Sequence, residues 1–448
     1  MAESDKLACR AAVRTAAASG MAVPYFVSAA ALGQAGTPGA NDKLNIVLIG
    51  CGGMGRGNLN GCRHPDVAVV GACDVWKERR DATVAAFPET CKPYSDYREV
   101  LADKDVDGVI IATPPHWHAL IAIEAAEAGK DFYVQKPMTL YLDEALAVRR
   151  AAEQHKVITQ VGTQIHAGAN YRRVVEWVRS GRLGQIAVVR TFLTGNQGIE
   201  GIGNPPNSDP PAGMDWDQWV GPGPMRPYNP LIVANAHTNC SFMDYSGGYT
   251  PGMAPHIIDL PFWAMELGIP PKTVASGGRY VTRDAGDAYD TQQVLWQYPK
   301  LTVTWMLQLV NSYGFDLQGA DNAIRRRLGV YFHGVDATLY ADYGTHKVVP
   351  EGDRLKDLTP PEPSIPPSPG HEREWLDSIK SRQQPSCNVS YHYQLDAAIG
   401  LANIAYRLGR SIEFDPQTEK IAGDAEAAKL ARPVYRDPWK FPEKYLAS

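Results

Sequence analysis

One short run constrains this chain more than any other. Gly50-Cys-Gly-Gly-Met-Gly55 fits the pattern G-x-G-x-x-G. It directly follows the β-rich stretch Asn45-Ile-Val-Leu-Ile49 and opens a segment compatible with a helix. A second apolar run, Val67 to Cys73, ends at Asp74. That places an acidic residue about 20 positions beyond the loop, where a dinucleotide-binding fingerprint needs one. Gly50 permits the tight turn, Gly52 lets the backbone approach a pyrophosphate, and Gly55 lets the helix pack close on the strand. Cys51, Gly53 and Met54 complete a loop whose helix start offers unpaired N–H groups to phosphates. Asp74 is expected to accept hydrogen bonds from the adenosine ribose. A carboxylate there repels a 2′-phosphate, so NAD is favoured over NADP, with Arg79 and Arg80 expected to be solvated helix charges.

The surroundings of the loop fit this reading. From about Leu44 to Thr163 strand-like runs (Val106–Ala112, Phe132–Val134, Ile158–Gly162) alternate with helical stretches (Ala119–Ala128, Leu142–His155). Such βαβα alternation predicts an α/β fold with a doubly wound parallel Rossmann sheet, over residues 43–163. Beyond Thr163 the period changes. Runs at 188–193, 291–298, 301–309, 328–333 and 337–343 have period-2 character, with Tyr298-Pro-Lys300 as a hairpin turn. They predict a mostly antiparallel sheet in a second domain, 164–448. Thr359 to Pro369 reads as an extended crossing linker, followed by helices at His371–Ser381 and Tyr391–Leu408.

A length of 448 residues is enough for two or three domains, and 44% hydrophobic with 21% charged residues excludes wholesale disorder. A net charge of −5 leaves no basic footprint, so nucleic acid is not an expected partner. The 7 cysteines form no Cys-x-x-Cys pair, so neither a disulfide framework nor a metal site is expected. Residues 1–42 stand apart. Lys6, Arg10 and Arg14 precede a small, apolar run with cleavage-type alanines and a turn-rich linker, Gly33 to Asp42. This reads as an export signal to the periplasm, although no two of its arginines are adjacent; without a working signal the chain would be cytoplasmic. No segment is apolar for long enough to imply stable membrane insertion.

Two further motifs make the pattern specific. Ala112-Thr-Pro-Pro-His-Trp-His118 follows the third strand, and Val134-Gln-Lys-Pro137 follows the fourth. With the glycine loop, Val161-Gly-Thr-Gln164, and Gly247-Gly248 ahead of His256 and Asp259, the chain resembles the Gfo/Idh/MocA oxidoreductases from about Leu44 onward. The exported members, with Tat-type signals and tails such as Tyr435-Arg-Asp-Pro-Trp439, are the most similar. The resemblance implies an N-terminal Rossmann domain and a C-terminal α/β domain. The open sheet of the latter would support substrate binding and a homodimer or homotetramer. It also places Thr113, Pro114, His116 and His118 against the cofactor, and Gln135, Lys136 and Gln164 near the nicotinamide or substrate. A lysine at a strand's carboxyl end suits this, because its ammonium can stabilise a developing alkoxide.

The departures matter too. Gln135 stands where the family usually has glutamate, Ala254 replaces a usual glycine, and Gly252 occupies the position of an aspartate four residues before the catalytic histidine. His256 therefore lacks its carboxylate, for which Asp259 or Asp244 are candidate substitutes, with Tyr249 and Tyr245 as nearby phenols. Trp216, Trp219, Tyr228, Trp263 and Trp305 are candidate sugar-stacking residues. The leading expectation is an NAD-dependent oxidoreductase acting on a sugar, polyol or glycoside. Lys136 would hold the oxygen, His256 would take the proton, and Asp259 and Tyr249 would assist. The alternatives are a redox-neutral glycosidase or lyase working through a transient 3-keto sugar, and a non-catalytic sugar or nucleotide sensor. An exported enzyme has no cytosolic NAD pool, so the cofactor is expected to be tightly held.

Overall fold

The computed structural model describes residues 43–313 and 327–446; the expected export signal at 1–42 lies outside them. The described residues of 44–63 and 67–448 form one compact unit, which contains everything that follows. Six strands form a parallel sheet in the order β3-β2-β1-β4-β5-β6. They are β1 (Leu44–Ile49), β2 (Val67–Cys73), β3 (Lys92–Tyr94), β4 (Gly108–Ile111), β5 (Asp131–Val134) and β6 (Thr159–Val161). The order reverses between β1 and β4, the switch point at which open α/β sheets bind ligands. Helices α1 (Gly53–Gly61), α2 (Lys77–Ala85), α3 (Tyr97–Ala102), α4 (His118–Glu127) and α5 (Leu142–His155) connect the strands. The central strands are buried on both faces, which explains their unbroken apolar runs.

After α6 (Ala169–Arg179), strand β7 (Ile186–Asn196) enters a ten-stranded sheet. Five short helices follow it: α7 (Trp216–Val220), α8 (Pro230–Ala234), α9 (Ala236–Asn239), α10 (Met243–Ser246) and α11 (Tyr249–Met253). Then come α12 (Pro255–Met265), β8 (Lys272–Gly278), β9 (Thr291–Tyr298), β10 (Leu301–Gln308), β11 (Val310–Asn311), β12 (Leu328–Gly334), β13 (Ala337–Ala341) and β14 (His346–Pro350). β10 pairs with β7 in parallel, and the other pairs are antiparallel. The β9–β10 hairpin turns at Tyr298 to Leu301 as expected.

The chain then returns to the first sheet. Helix α13 (His371–Ser381) buries Trp375, Leu376 and Ile379 against Ile46, Leu48, Ile110 and Tyr133. Burying a tryptophan of about 200 Å² contributes about 5 kcal/mol at 25 cal/mol/Å². Helix α14 (Val389–Leu408) runs between both sheets, followed by β15 (Ile412–Asp415), β16 (Lys420–Ile421) and α15 (Ala425–Leu430). Among the described residues no helix is long and apolar enough to cross a membrane.

Candidate active site

The glycine loop is shaped by contacts that only glycine allows at two positions. Gly50 has φ +94°, and a Cβ there would lie 2.5 Å from the Ala112 carbonyl carbon. A Cβ at Gly55 would lie 2.0 Å from the Gly50 oxygen, so the third glycine does bring helix and turn together. Gly53, by contrast, has nothing within 4 Å of where a Cβ would be, which leaves the cradle open. No side chain caps the start of α1, so its first N–H groups remain available to an anion. Asp74 is tied into the same loop. Its Oδ2 accepts from the Cys51 N–H at 2.7 Å and its Oδ1 from the Trp76 N–H at 2.8 Å. Burial raises the Asp74 pKa, and those two amides oppose the shift. Arg79 donates to the Val233 carbonyl at 2.8 Å and Arg80 to Ser95 and Asp81, so both arginines are engaged.

A cleft of about 820 Å³ opens from this loop. Gly50, Gly52, Gly53, Met54 and Asp74 line one end, and Thr113, Pro114, His118, Gln135 and Lys136 line the middle. The Thr113 hydroxyl is enclosed there without a hydrogen-bond partner among the described residues, a polar atom left for a ligand. These features fit a dinucleotide. Of the remaining lining, from the segment between β7 and α12, only Trp219 was singled out in the sequence; Ile232, Val233, His237, Asn239 and Cys240 were not. That segment also straps the Asp74 end, where the Lys77 N–H donates to the Gly213 carbonyl at 2.9 Å and the Asp215 N–H to the Val75 carbonyl at 3.0 Å. A Pro/Gly/Asn-rich stretch without periodicity gave no sign of this role.

Lys136 is fixed from two sides. Its ammonium donates to the Gly252 carbonyl at 2.9 Å. The backbone after it is held by Asp396 of α14, whose Oδ1 accepts from the Met138 N–H at 3.0 Å and the Thr139 N–H at 3.4 Å. Burial lowers the lysine's pKa. Cys240 stands beside it: a Cβ at Gly252 would meet its Sγ at 2.4 Å, and burial pushes the thiol up to about 11. A neutral thiol thus fills the space into which a side chain at 252 would project. Gln135 lies below, donating to Asn58 at 2.7 Å.

Other expected residues are placed differently. Asp259 does not serve His256. It points into the core, where it accepts hydrogen bonds from Thr163 at 3.1 Å and from Tyr391, and it lies 3.4 Å from His166. His256 instead meets the Tyr343 hydroxyl at 2.5 Å; burial, then the Lys136 charge, lower its pKa to about 3. Asp244 pairs with Arg226. Tyr249 is buried behind the cleft, bonded to Ser241 at 2.8 Å and Gln197 at 2.6 Å. Gln164, at φ +59°, turns away from the cleft to Glu372 at 3.3 Å. His116 is buried under the wall against the Trp219 carbonyl at 3.0 Å. Both ring nitrogens of His118 face carbonyls, of Pro137 at 2.8 Å and Thr113 at 2.7 Å. Of the aromatic candidates Trp219 lines the cleft with Trp216 stacked on it, Trp305 is core, and Trp263 stacks on His166.

Comparison with known proteins agrees with this geometry. Residues 44–163 match the model of an oxidoreductase family with an NAD-binding Rossmann fold. Residues 314–441 match that of its C-terminal alpha/beta domain. A glycosyl hydrolase family 109 protein of Shewanella sp. (strain W3-18-1) is 28% identical over 156 residues, 32% of this chain and 34% of that protein. An inositol 2-dehydrogenase of Salmonella paratyphi B is 28% identical over 149 residues, 33% of this chain and 44% of that protein. The chain thus matches less than half the length of these curated relatives. Among solved structures, the WlbA dehydrogenase of Chromobactrium violaceum, in complex with NADH and UDP-GlcNAcA, superimposes with a TM-score of 0.62. It is 18% identical, over 85% of this chain and 98% of that one, a likeness of fold.

Proposed function

Because the chain belongs to the Gfo/Idh/MocA family of NAD-binding oxidoreductases, we propose that it oxidises or reduces a carbinol carbon of a sugar, polyol or glycoside. The observation that carries this reading is Lys136, at the carboxyl end of β5, whose ammonium reaches the middle of the cleft that the glycine loop opens. Gly50 to Gly55, Asp74 and Thr113 would hold NAD, which supplies the hydride acceptor when bound. Asp74 supports NAD over NADP, with Arg79 bonded to the Val233 carbonyl and Arg80 to Ser95 and Asp81. Lys136 donates to the carbinol oxygen and stabilises its negative charge. With its pKa lowered by burial, the neutral amine would take the carbinol proton in oxidation, and the ammonium so formed would return it in reduction. His256, held neutral beside that ammonium and lacking a carboxylate, is a weak base; it packs and orients the lysine's surroundings.

The glycosyl hydrolase names among the relatives favour a second reading, in which the redox step is transient and a glycosidic bond is cleaved. Sugars and aryl glycosides assayed with and without added NAD separate the two. Net NADH formation supports the dehydrogenase; aglycone release without added NAD supports the glycosidase. If wild-type protein does neither with any of them, the oxidoreductase reading fails. The export signal expected over residues 1–42 makes the periplasm the proposed location.

A further inference from the structure

Away from the cleft, the interior holds a second cluster of side chains that the proposed redox chemistry does not use. A ring nitrogen of His166, a carboxylate oxygen of Asp259 and the Cys387 Sγ all lie within 4.8 Å of one another. The three residues are buried, at 1% exposure or less, and none of them lines the cleft. His166 comes from the turn between β6 and α6, Asp259 from α12, and Cys387 from just ahead of α14. Only the fold brings these segments together, so cysteine spacing alone predicts no metal site here.

His166 is the member left unsatisfied. Trp263 stacks on its ring at 4.0 Å and Tyr391 meets it edge-on at 5.0 Å, which fixes the ring plane. Neither ring nitrogen has a hydrogen-bond partner among the described residues. Nε2 is 3.4 Å from Asp259 Oδ1, too long for a good N–H···O bond. A buried polar group left in this way calls for a partner. The other two donors are already held in place. Asp259 Oδ1 accepts from the Tyr391 hydroxyl, and Thr163 Oγ1 stands 3.1 Å from Asp259 Oδ2 and 3.0 Å from Cys387 Sγ. An imidazole nitrogen, a carboxylate oxygen and a sulfur, oriented by outer hydrogen bonds, are a zinc donor set. Tetrahedral zinc at about 2.0–2.3 Å from each ligand sets its donors about 3.3–3.8 Å apart, so the three need to close by about 1 Å at most.

Charge agrees with this. On binding, the Cys387 thiol proton leaves to solvent. Thiolate and carboxylate then cancel the two positive charges of the ion, with neutral His166 as the third donor. A neutral complex avoids the penalty of burying a net charge.

We propose that His166, Asp259 and Cys387 bind a structural zinc ion, with Thr163 Oγ1 as the oxygen on hand for the fourth position. The ion ties together elements that carry the candidate active site. Helix α12 bears His256, and α14 bears the Asp396 that clamps the backbone after Lys136. The proposal does not depend on which reaction the cleft performs.

The test uses the full, untagged chain, produced with zinc and purified under reducing conditions without chelator. Elemental mass spectrometry should find about one zinc per chain. X-ray absorption should show one sulfur at about 2.3 Å, with imidazole and oxygen at about 2.0–2.2 Å. Produced with cobalt in place of zinc, the chain should show a thiolate-to-cobalt charge-transfer band that Cys387→Ser abolishes. His166→Gln and Asp259→Asn should each retain far less metal than the wild type. Where these variants do not fold, X-ray absorption on the wild-type chain decides alone. A metal-free wild-type chain would overturn the proposal, as would a metal shell with no sulfur or with two or more. A cobalt band that persists in Cys387→Ser would overturn it too.

Discussion

Asp74→Ala would separate the loop bonds that this carboxylate makes from the ribose contact proposed for it. Two ribose hydrogen bonds to a charged acceptor are worth about 2–4 kcal/mol together, a loss of about 30- to 1000-fold in NAD affinity. The structure adds a second loss. The Cys51 and Trp76 N–H groups that Asp74 accepts would lose their acceptor, and Cys51 is fully buried, so its amide cannot turn to water. Each orphaned amide costs about 1–3 kcal/mol. That cost falls on the loop itself, so it lowers stability and weakens NAD and NADP alike. Removing the carboxylate also relieves repulsion of a 2′-phosphate. The informative quantity is therefore the ratio of the two affinities, which should move toward NADP by at least about 30-fold. Asp74→Asn, which keeps one acceptor, should fall between. Fluorescence titration with NADH and NADPH at one ionic strength, with a thermal melt of each variant, measures all three effects. An unchanged ratio, whatever the melt shows, would refute the ribose assignment.

Three other outcomes are expected. Lys136→Ala should lower kcat/KM by roughly 100-fold while moving Tm little, since its ammonium makes one hydrogen bond; near wild-type activity in the folded variant removes lysine from the mechanism. Glu144 is buried where it accepts from the Leu140 and Tyr141 N–H groups and the Tyr435 hydroxyl, and burial lifts its pKa from 4.5 to about 7. A carboxyl raised in the fold binds its proton there more tightly than in the unfolded chain. Its contribution is thus full below pH 4.5 and fades as pH rises to about 7, a change of about 3 kcal/mol. Glu144→Gln should flatten that slope in denaturant titrations between pH 4.5 and 7, and an unaltered slope assigns it to other groups. Finally, the strap at Gly213 and Asp215 and the Arg79–Val233 contact cover the cofactor end, so NAD should survive dialysis and be released near stoichiometrically on heating. Cofactor-free dialysed protein that needs millimolar NAD would mean an ordinary dissociating dehydrogenase.

The features legible in the sequence are the local ones. A strand, a glycine turn and a helix start are contiguous, so Gly50 to Gly55, Asp74 and Lys136 announce a cofactor end. The period-2 runs likewise announce a mostly antiparallel sheet. What was not legible depends on chain segments far apart. Asp259 lies three residues from His256 on α12, a rotation of about 60° off the same line. That angle is enough to send one side chain to Tyr343 and the other into the core beside His166. Gln164 is misread because its positive φ, +59°, reverses the direction that an extended backbone would give it. The wall that carries His237 and Cys240 has no sequence period at all, since short helices and turns fold there over the carboxyl ends of the first sheet's strands.

Lys136 shows why the chemistry belongs to neither half alone. Its strand and the glycine loop come from the first sheet. The carbonyl that receives its ammonium, the thiol beside it and the carboxylate that clamps the following backbone come from α11, the end of α9 and α14. A flexible lysine stem loses about 2 kcal/mol of rotamer entropy when fixed, and one exposed hydrogen bond does not offset that. Fixing it needs the backbone beyond the first sheet in place, with Asp396 itself buried and bonded to His392 at 2.6 Å. The ammonium is therefore set in position before any substrate arrives. Burial lowers its pKa, and with Cys240 rather than a carboxylate beside it that shift is opposed only weakly, which on the proposed reading would let the amine take the carbinol proton in one direction and return it in the other.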